Sequence, residues 1–178
     1  MIKDRREDAA IAEFRTSLGT FSIRFLAAQA PVTAEYFRSL VSTKSFDGTS
    51  IYRIVGLDNA EHRAVSPIQV IQAGLKDTDV QPVAPIRHEA TLETGLSHKK
   101  WSVSAARFEP NQTYGSFFVC MEDTPSLDHG GARHPDGLGF AAFGEVTVGF
   151  DTLSAIYAKR EAAEILTQEI AILSATLV

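Results

Sequence analysis

Apolar and polar residues alternate early in the chain, with Ala12, Phe14, Thr16 and Leu18 interleaved with Glu13, Arg15 and Ser17. Gly19 breaks the run, and Phe21, Ile23 and Phe25 then alternate with Ser22 and Arg24. A two-residue period on both sides of a glycine predicts a β-hairpin with one buried face. After Pro31 the spacing changes. Val32, Tyr36, Phe37, Leu40 and Val41 share one stripe of a helix, with Pro31 or Thr33 near its start and Glu35 in its first turn. Phe46-Asp47-Gly48 predicts a turn into a strand over 50–55, and the polar residues 56–67 predict a loop.

Residues 68–72 predict another strand, ended by Gly74, and a weakly periodic region with Pro82, Pro85 and Gly95 as breakers runs to about Lys100. Strands are expected over 101–108 and 116–121, joined by a turn at 109–112. A glycine-rich loop from His129 to Gly139 precedes a strand over 140–148. Leu153, Ile156 and Tyr157 give 150–159 a helical spacing, and the apolar, β-branched stretch 165–178 suits a closing strand. Many short strands, two amphipathic helices and no strand–helix alternation imply an antiparallel barrel or sandwich with helical caps. The sequence has no internal repeat or linker, so residues 1–178 read as one domain with a charged N-terminal segment over about 1–10.

Composition narrows the function. A net charge of −5 argues against a nucleic-acid partner, because phosphate binding needs a basic face; the pair Lys99-Lys100 reads as a solvated turn. The lone Cys120 excludes an intramolecular disulfide and a multi-cysteine zinc site, and reads as a small buried hydrophobe. No apolar run is long enough to cross a bilayer, so no membrane partner is expected. The charged start does not read as a signal peptide, and a cytoplasmic location is expected, or a periplasmic one if a leader once preceded it. A monomer is expected.

Seven motifs carry a resemblance. Ala30-Pro31-Val32-Thr33 follows the first hairpin, and Phe46-Asp47-Gly48-Thr49-Ser50-Ile51-Tyr52-Arg53-Ile54-Val55 is similar to Tyr-Asp-Gly-Thr-x-Phe-His-Arg-Val-Ile. Ile71-Gln72-Ala73-Gly74, Ser104-Ala105-Ala106-Arg107 and Gly115-Ser116-Phe117-Phe118-Val119 come next. Leu127-Asp128-His129-Gly130 and Phe140-Ala141-Ala142-Phe143-Gly144-Glu145-Val146 close the series. In this order and spacing, over about residues 11–175, the chain resembles the cyclophilin family of peptidyl-prolyl cis-trans isomerases, and its bacterial members in pattern.

The resemblance implies an all-β dominated fold, a closed eight-stranded antiparallel β-barrel capped by two α-helices, with a groove on its outside for an Xaa-Pro segment. It implies Arg53 and Gln72 as catalytic, and Phe118, Leu127, Phe140, Ala106, Arg107, Ser116 and Gln69 as substrate-binding, the last two at substituted positions. Arg107 reads equally well as a solvated charge. Ser116 stands where the family has a glutamine that reaches substrate, and Gln69 where it has a phenylalanine of the proline pocket. Ser126 replaces a common aromatic. These departures lead us to expect weakened catalysis on proline-containing peptides or unfolded proteins. The alternative is an impaired cyclophilin-like module that binds such segments or a partner protein. A binder of small molecules within the barrel is disfavoured, since apolar strand faces imply a filled interior.

The chemistry needs no cofactor or metal. His129 and His134 flank Gly130-Gly131, with His88-Glu89 elsewhere, in no spacing that matches a zinc site. Ser102, Ser104 and Ser116 lie in no nucleophile elbow, so no hydrolytic triad is expected.

Overall fold

Each stretch of two-residue periodicity forms a strand in the computed structural model, which describes residues 9–61 and 66–178. The strands are β1 (Ile11–Thr16), β2 (Gly19–Phe25), β3 (Ser50–Val55), β4 (Val70–Gly74), β5 (Ser102–Arg107), β6 (Thr113–Cys120), β7 (Ala141–Val148) and β8 (Ile165–Leu177). The helices are α1 (Pro31–Ser42), a single turn α2 (Thr91–Thr94) and α3 (Phe150–Tyr157). The first eight residues of the expected charged segment, and residues 62–65 of the 56–67 loop, lie outside the described residues.

All pairings are antiparallel, and the strands close in the order β1-β2-β7-β5-β6-β4-β3-β8. The long β8 makes closure possible, because its later residues pair with β1 and its earlier ones with β3. The expected fold class is thus the observed one. β4 begins two residues later than its periodicity predicts, since Pro67 has no N–H to give to a ladder and Ile68 turns toward the outer surface. The weakly periodic region hides α2, which ends at Gly95 in the left-handed conformation (φ 74°).

Six phenylalanines, 14, 21, 37, 46, 117 and 143, fill the interior and are almost fully buried. Phe37 of α1 stacks on Phe143 at 4.3 Å, so α1 closes one end of the barrel. Leu153 and Ile156 of α3 join the same core. Each such ring contributes about 1.5–3 kcal/mol by burial. The start of α1 is capped from far along the chain: the buried Glu89 carboxylate accepts from the backbone N–H of Val32 and Thr33 and from the Thr33 hydroxyl. Gly149 has to be glycine, because its φ is +89° and a Cβ would lie 2.4 Å from the Thr20 carbonyl. A filled barrel leaves the outer surface for function.

Candidate active site

Alternation along β4 and β6 divides their residues between two cores. Ile71, Ala73, Phe117 and Val119 face the interior, while Val70, Phe118 and Cys120 join a smaller outer cluster with Val55, Ile68 and Leu127. β3 would place Arg53 on the same face as the interior Ile51 if it alternated strictly. It does not. The register shifts so that Ile51 pairs with Ala73 and Arg53 with Gln72, leaving Tyr52 as the extra residue. This β-bulge re-aims Arg53 outward, directly across from Gln72.

Arg53 is held from two sides. Its Nε and Nη2 donate to Glu164 Oε2 at 3.0 and 2.6 Å, and its Nη1 donates to Gln72 Oε1 at 2.9 Å. A guanidinium has five N–H groups, so two remain for a ligand. Glu164 is a buried carboxylate (side chain 4% exposed) that also accepts from the Glu61 backbone N–H. Burial pushes its pKa up, but the Glu61 N–H and the bonds and charge of Arg53 outweigh this and hold it below the usual value.

Gln72 is fixed in turn. Its Nε2 donates to Tyr52 Oη at 2.9 Å, with Ser116 Oγ and Tyr114 Oη at 3.2 and 3.3 Å. Ser116 gives its proton to the Ala73 carbonyl, so the Tyr52 hydroxyl donates to Ser116 at 2.6 Å. Burial raises the Tyr52 phenol well above its ordinary pKa and keeps that proton in place. Ser116 is fully buried and lies under Gln72, not in the groove. The substrate contact expected of it is therefore corrected: a short side chain at this position supports Gln72 from below.

A cavity of about 240 Å³ opens beside these groups. Arg53 and Gln72 line one part, and Ile68, Val70, Phe118, Leu127 and Phe140 make an apolar wall. Phe118 and Phe140 pack edge to face at 5.7 Å. Gln69 is absent from the lining, and its Oε1 accepts from the Tyr157 hydroxyl at 3.0 Å. The expectation of substrate contact by Gln69 is corrected for that reason, and Ile68 and Val70 supply the apolar surface in its place. Ala106 and Arg107 also line the cavity, at a register shift in β5 following the interior Ala105.

Arg107 is no solvated charge, since its side chain is 1% exposed. It donates to the Gly139 carbonyl (2.9 and 2.6 Å), the Phe108 carbonyl (3.0 Å) and both Asp136 oxygens (2.9 and 3.0 Å). Its guanidinium also lies 5.0 Å from the Phe140 ring centre. Burial raises the Asp136 carboxyl, but the Arg107 bonds, the Leu138 N–H and nearby positive charge bring it down to about 2. Arg107 thereby ties the 128–139 loop, which contributes Arg133 and His134 to the cavity.

A serine–histidine–aspartate row does exist. His98 Nδ1 lies 2.6 Å from Asp128 Oδ1 and Nε2 lies 2.9 Å from Ser104 Oγ. Ser104 and His98 are both fully buried, so no ester or amide can reach the hydroxyl. The row anchors the start of the 128–139 loop. Among the described residues no group of His, Cys, Asp and Glu is arranged to hold a metal ion. Burial, then the charges of Asp128 and Asp123, push the Cys120 thiol up to about 12. Native protein at pH 8 is expected to leave a thiol reagent unconsumed, with one equivalent titrating on unfolding. Rapid native labelling would contradict this burial.

Seven of the nine expected residues thus share one cavity: Arg53, Gln72, Ala106, Arg107, Phe118, Leu127 and Phe140. Sequence reasoning missed Tyr52, Tyr114, Ile68, Arg133 and, most consequentially, Glu164. Glu164 is 111 positions from Arg53 and follows a polar turn, so no local signal marks it.

Comparison with known proteins bears on the family and the fold. The family model for cyclophilin type peptidyl-prolyl cis-trans isomerases matches residues 11–177. Peptidyl-prolyl cis-trans isomerase cyp18 of Streptomyces antibioticus is 34% identical over 148 residues, spanning 81% of each chain. A peptidyl-prolyl cis-trans isomerase of Acinetobacter baylyi is 29% identical over 150 residues, spanning 82% of this chain and 71% of its own. In fold, the chain is similar to a cyclophilin type isomerase of Cryptosporidium parvum, with a TM-score of 0.74 at 16% identity over 96% of this chain and 98% of that one. A second structure of that protein, determined in the presence of the dipeptide Ala-Pro, gives a TM-score of 0.72 at 16% identity over 94% and 98%.

Proposed function

This chain belongs to the cyclophilin-type peptidyl-prolyl cis-trans isomerase family, and on that premise we propose that the Arg53 groove is where it rotates Xaa-Pro bonds in peptides and proteins. The observation that carries the reading is a guanidinium braced by Glu164 and Gln72 beside an apolar wall.

Rotation about the bond faces a barrier of about 18–20 kcal/mol, because resonance keeps the amide planar. No covalent intermediate is needed. The site has to bind the twisted amide better than either planar form. With the proline ring against Phe118, Leu127 and Phe140, the two remaining Arg53 N–H groups are available to the prolyl nitrogen. That nitrogen becomes a good acceptor only as it pyramidalises, so the hydrogen bond strengthens in the transition state and not before. Bracing matters because a donor already held in place does not have to reorganise during the reaction.

The form of the activity that we propose is a modest or selective one. Glu164 lies 2.6 Å from the guanidinium and offsets part of the charge that Arg53 presents to the amide. The test is cis/trans exchange in an Ala-Pro peptide, followed by NMR with and without protein. Uncatalysed exchange takes tens to hundreds of seconds, so catalysis would appear as a shortened exchange time at substoichiometric protein. An unchanged exchange time would overturn the reading, and shift changes without acceleration would identify a binding module.

A further inference from the structure

One buried residue that does not line the cavity, His98, ties together its apolar wall. The His98 ring stacks on Phe118, with centroids 6.1 Å apart and planes 15° from parallel. Phe140 packs edge to face on the same ring, so Phe118 meets a buried imidazole as well as a ring of the cavity lining. The His98 backbone serves the next wall residue. Its carbonyl accepts from the Thr124 N–H at 2.8 Å, and the Thr124 carbonyl accepts from the Leu127 N–H at 3.1 Å. The Leu127 carbonyl in turn accepts from the Phe140 N–H at 2.9 Å. All three apolar residues placed against the proline ring therefore connect back to His98.

The imidazole has little freedom. Its Nδ1 donates to Asp128 Oδ1 at 2.6 Å and its Nε2 lies 2.9 Å from the Ser104 hydroxyl, so turning the ring breaks two bonds at once. Asp128 Oδ1 also accepts from the His98 backbone N–H at 2.9 Å. Burial pushes the Asp128 carboxyl up, but the bonds from His98 outweigh this and hold it below its ordinary value. An ionised carboxylate only accepts, which fixes a proton on Nδ1 and the orientation of the ring. Burial closes a hydrolytic role to this row. A locked imidazole has another use: it gives Phe118 a rigid face to pack on.

We propose that His98 is a positioning residue: locked by Asp128 and Ser104, its ring holds Phe118 in the orientation that receives the proline ring. This role rests on the isomerase reading and deepens it. A Phe118 ring free to leave that orientation lowers the apparent affinity in proportion to the time it spends elsewhere. Arg53 is unaffected, since its braces are Glu164 and Gln72. The signature is therefore a raised KM at an unchanged kcat, the mark of binding lost equally from ground and transition states.

The experiment uses the full chain, an Ala-Pro peptide and His98→Asn, which keeps an N–H for Asp128 and the backbone bonds while removing the ring and its bond to Ser104. KM is expected to rise by about 3- to 10-fold, the worth of one aromatic contact. The kcat should stay within about twofold of wild type. In a Phe118→Leu background the same change should alter KM by less than about twofold, because the ring through which it acts is already gone. A loss confined to kcat would signify a smaller folded fraction and overturn the proposal. An unchanged KM, or an undiminished effect beside Phe118→Leu, would overturn it too. Should His98→Asn not fold, Ser104→Ala decides, since it keeps the imidazole and removes one of its two bonds. It should raise KM by about 2- to 3-fold at the same kcat, and an unchanged KM again sinks the proposal. If wild type accelerates no peptide, the isomerase reading fails by itself. Chemical-shift titration of the same peptide then decides the role of His98, which needs weaker binding by His98→Asn and is overturned by equal affinities.

Discussion

Arg53→Ala is expected to lower kcat/KM on an Xaa-Pro peptide by about 100- to 1,000-fold, the effect of removing one preorganised donor aimed at developing charge. The barrel should remain folded, because Arg53 is an outward residue whose loss leaves the interior phenylalanines untouched. It will not be silent in stability. Glu164 would retain the Glu61 N–H and lose both Arg53 donors. We expect a loss of about 1–3 kcal/mol, moderated because the shortened side chain lets water reach the carboxylate. The double variant Arg53→Ala, Glu164→Gln separates the two effects, as it should recover much of the stability and none of the activity. Arg53→Lys keeps the charge and loses the fork that bridges Glu164 and Gln72, so an intermediate rate is expected. Activity of Arg53→Ala within about threefold of wild type would remove Arg53 from the mechanism.

Arg107→Ala is expected to be the most damaging change to the groove's architecture. It removes five hydrogen bonds at once and uncouples the Gly139 carbonyl and Asp136 from β5. Breaking a buried pair costs about 3–5 kcal/mol, and we expect the lower end because Asp136 (side chain 21% exposed) retains contact with water. In a chain of this size each kcal/mol lowers Tm by about 2–4 °C. Peptide affinity should fall as well, since Phe140 and Arg133 reach the cavity from the segment that Arg107 anchors. The pH dependence follows from Asp136, whose folded pKa of about 2 lies below its ordinary 3.8. A depressed carboxyl stabilises in full above the unfolded value, and that stabilisation is lost as the pH falls toward the folded one. Wild type should therefore lose stability between about pH 4 and pH 2, and Arg107→Ala should lose less over that window. Identical acid titrations of the two proteins would refute the assigned pairing.

Much of this was legible in local patterning. The alternation of Phe14, Phe21 and Ile23 predicts strands with one buried face, and these residues are buried in the interior. The helical stripe of Tyr36, Phe37, Leu40 and Val41 is buried as a unit on α1. Tertiary constraint overrode the pattern at β4, where Pro67 and the turn of Ile68 into the outer cluster delay the ladder. Residues read as losses behave differently in three dimensions. Ser116 supports Gln72, Gln69 turns to Tyr157, and Ile68 restores the apolar wall.

Periods of two and of about 3.6 are properties of the backbone, so most strands and the two capping helices could be read from the chain alone, while the closed barrel and the candidate arginine came with the resemblance to the cyclophilin family. The facing of Arg53 could not, because the bulge at Tyr52 arises only when β3 is matched against β4, and a one-residue shift reverses every side chain beyond it. Nor could its partner. Glu164 meets Arg53 because β8 closes the barrel beside β3, and a contact made by closure between residues far apart in sequence has no local periodicity to announce it.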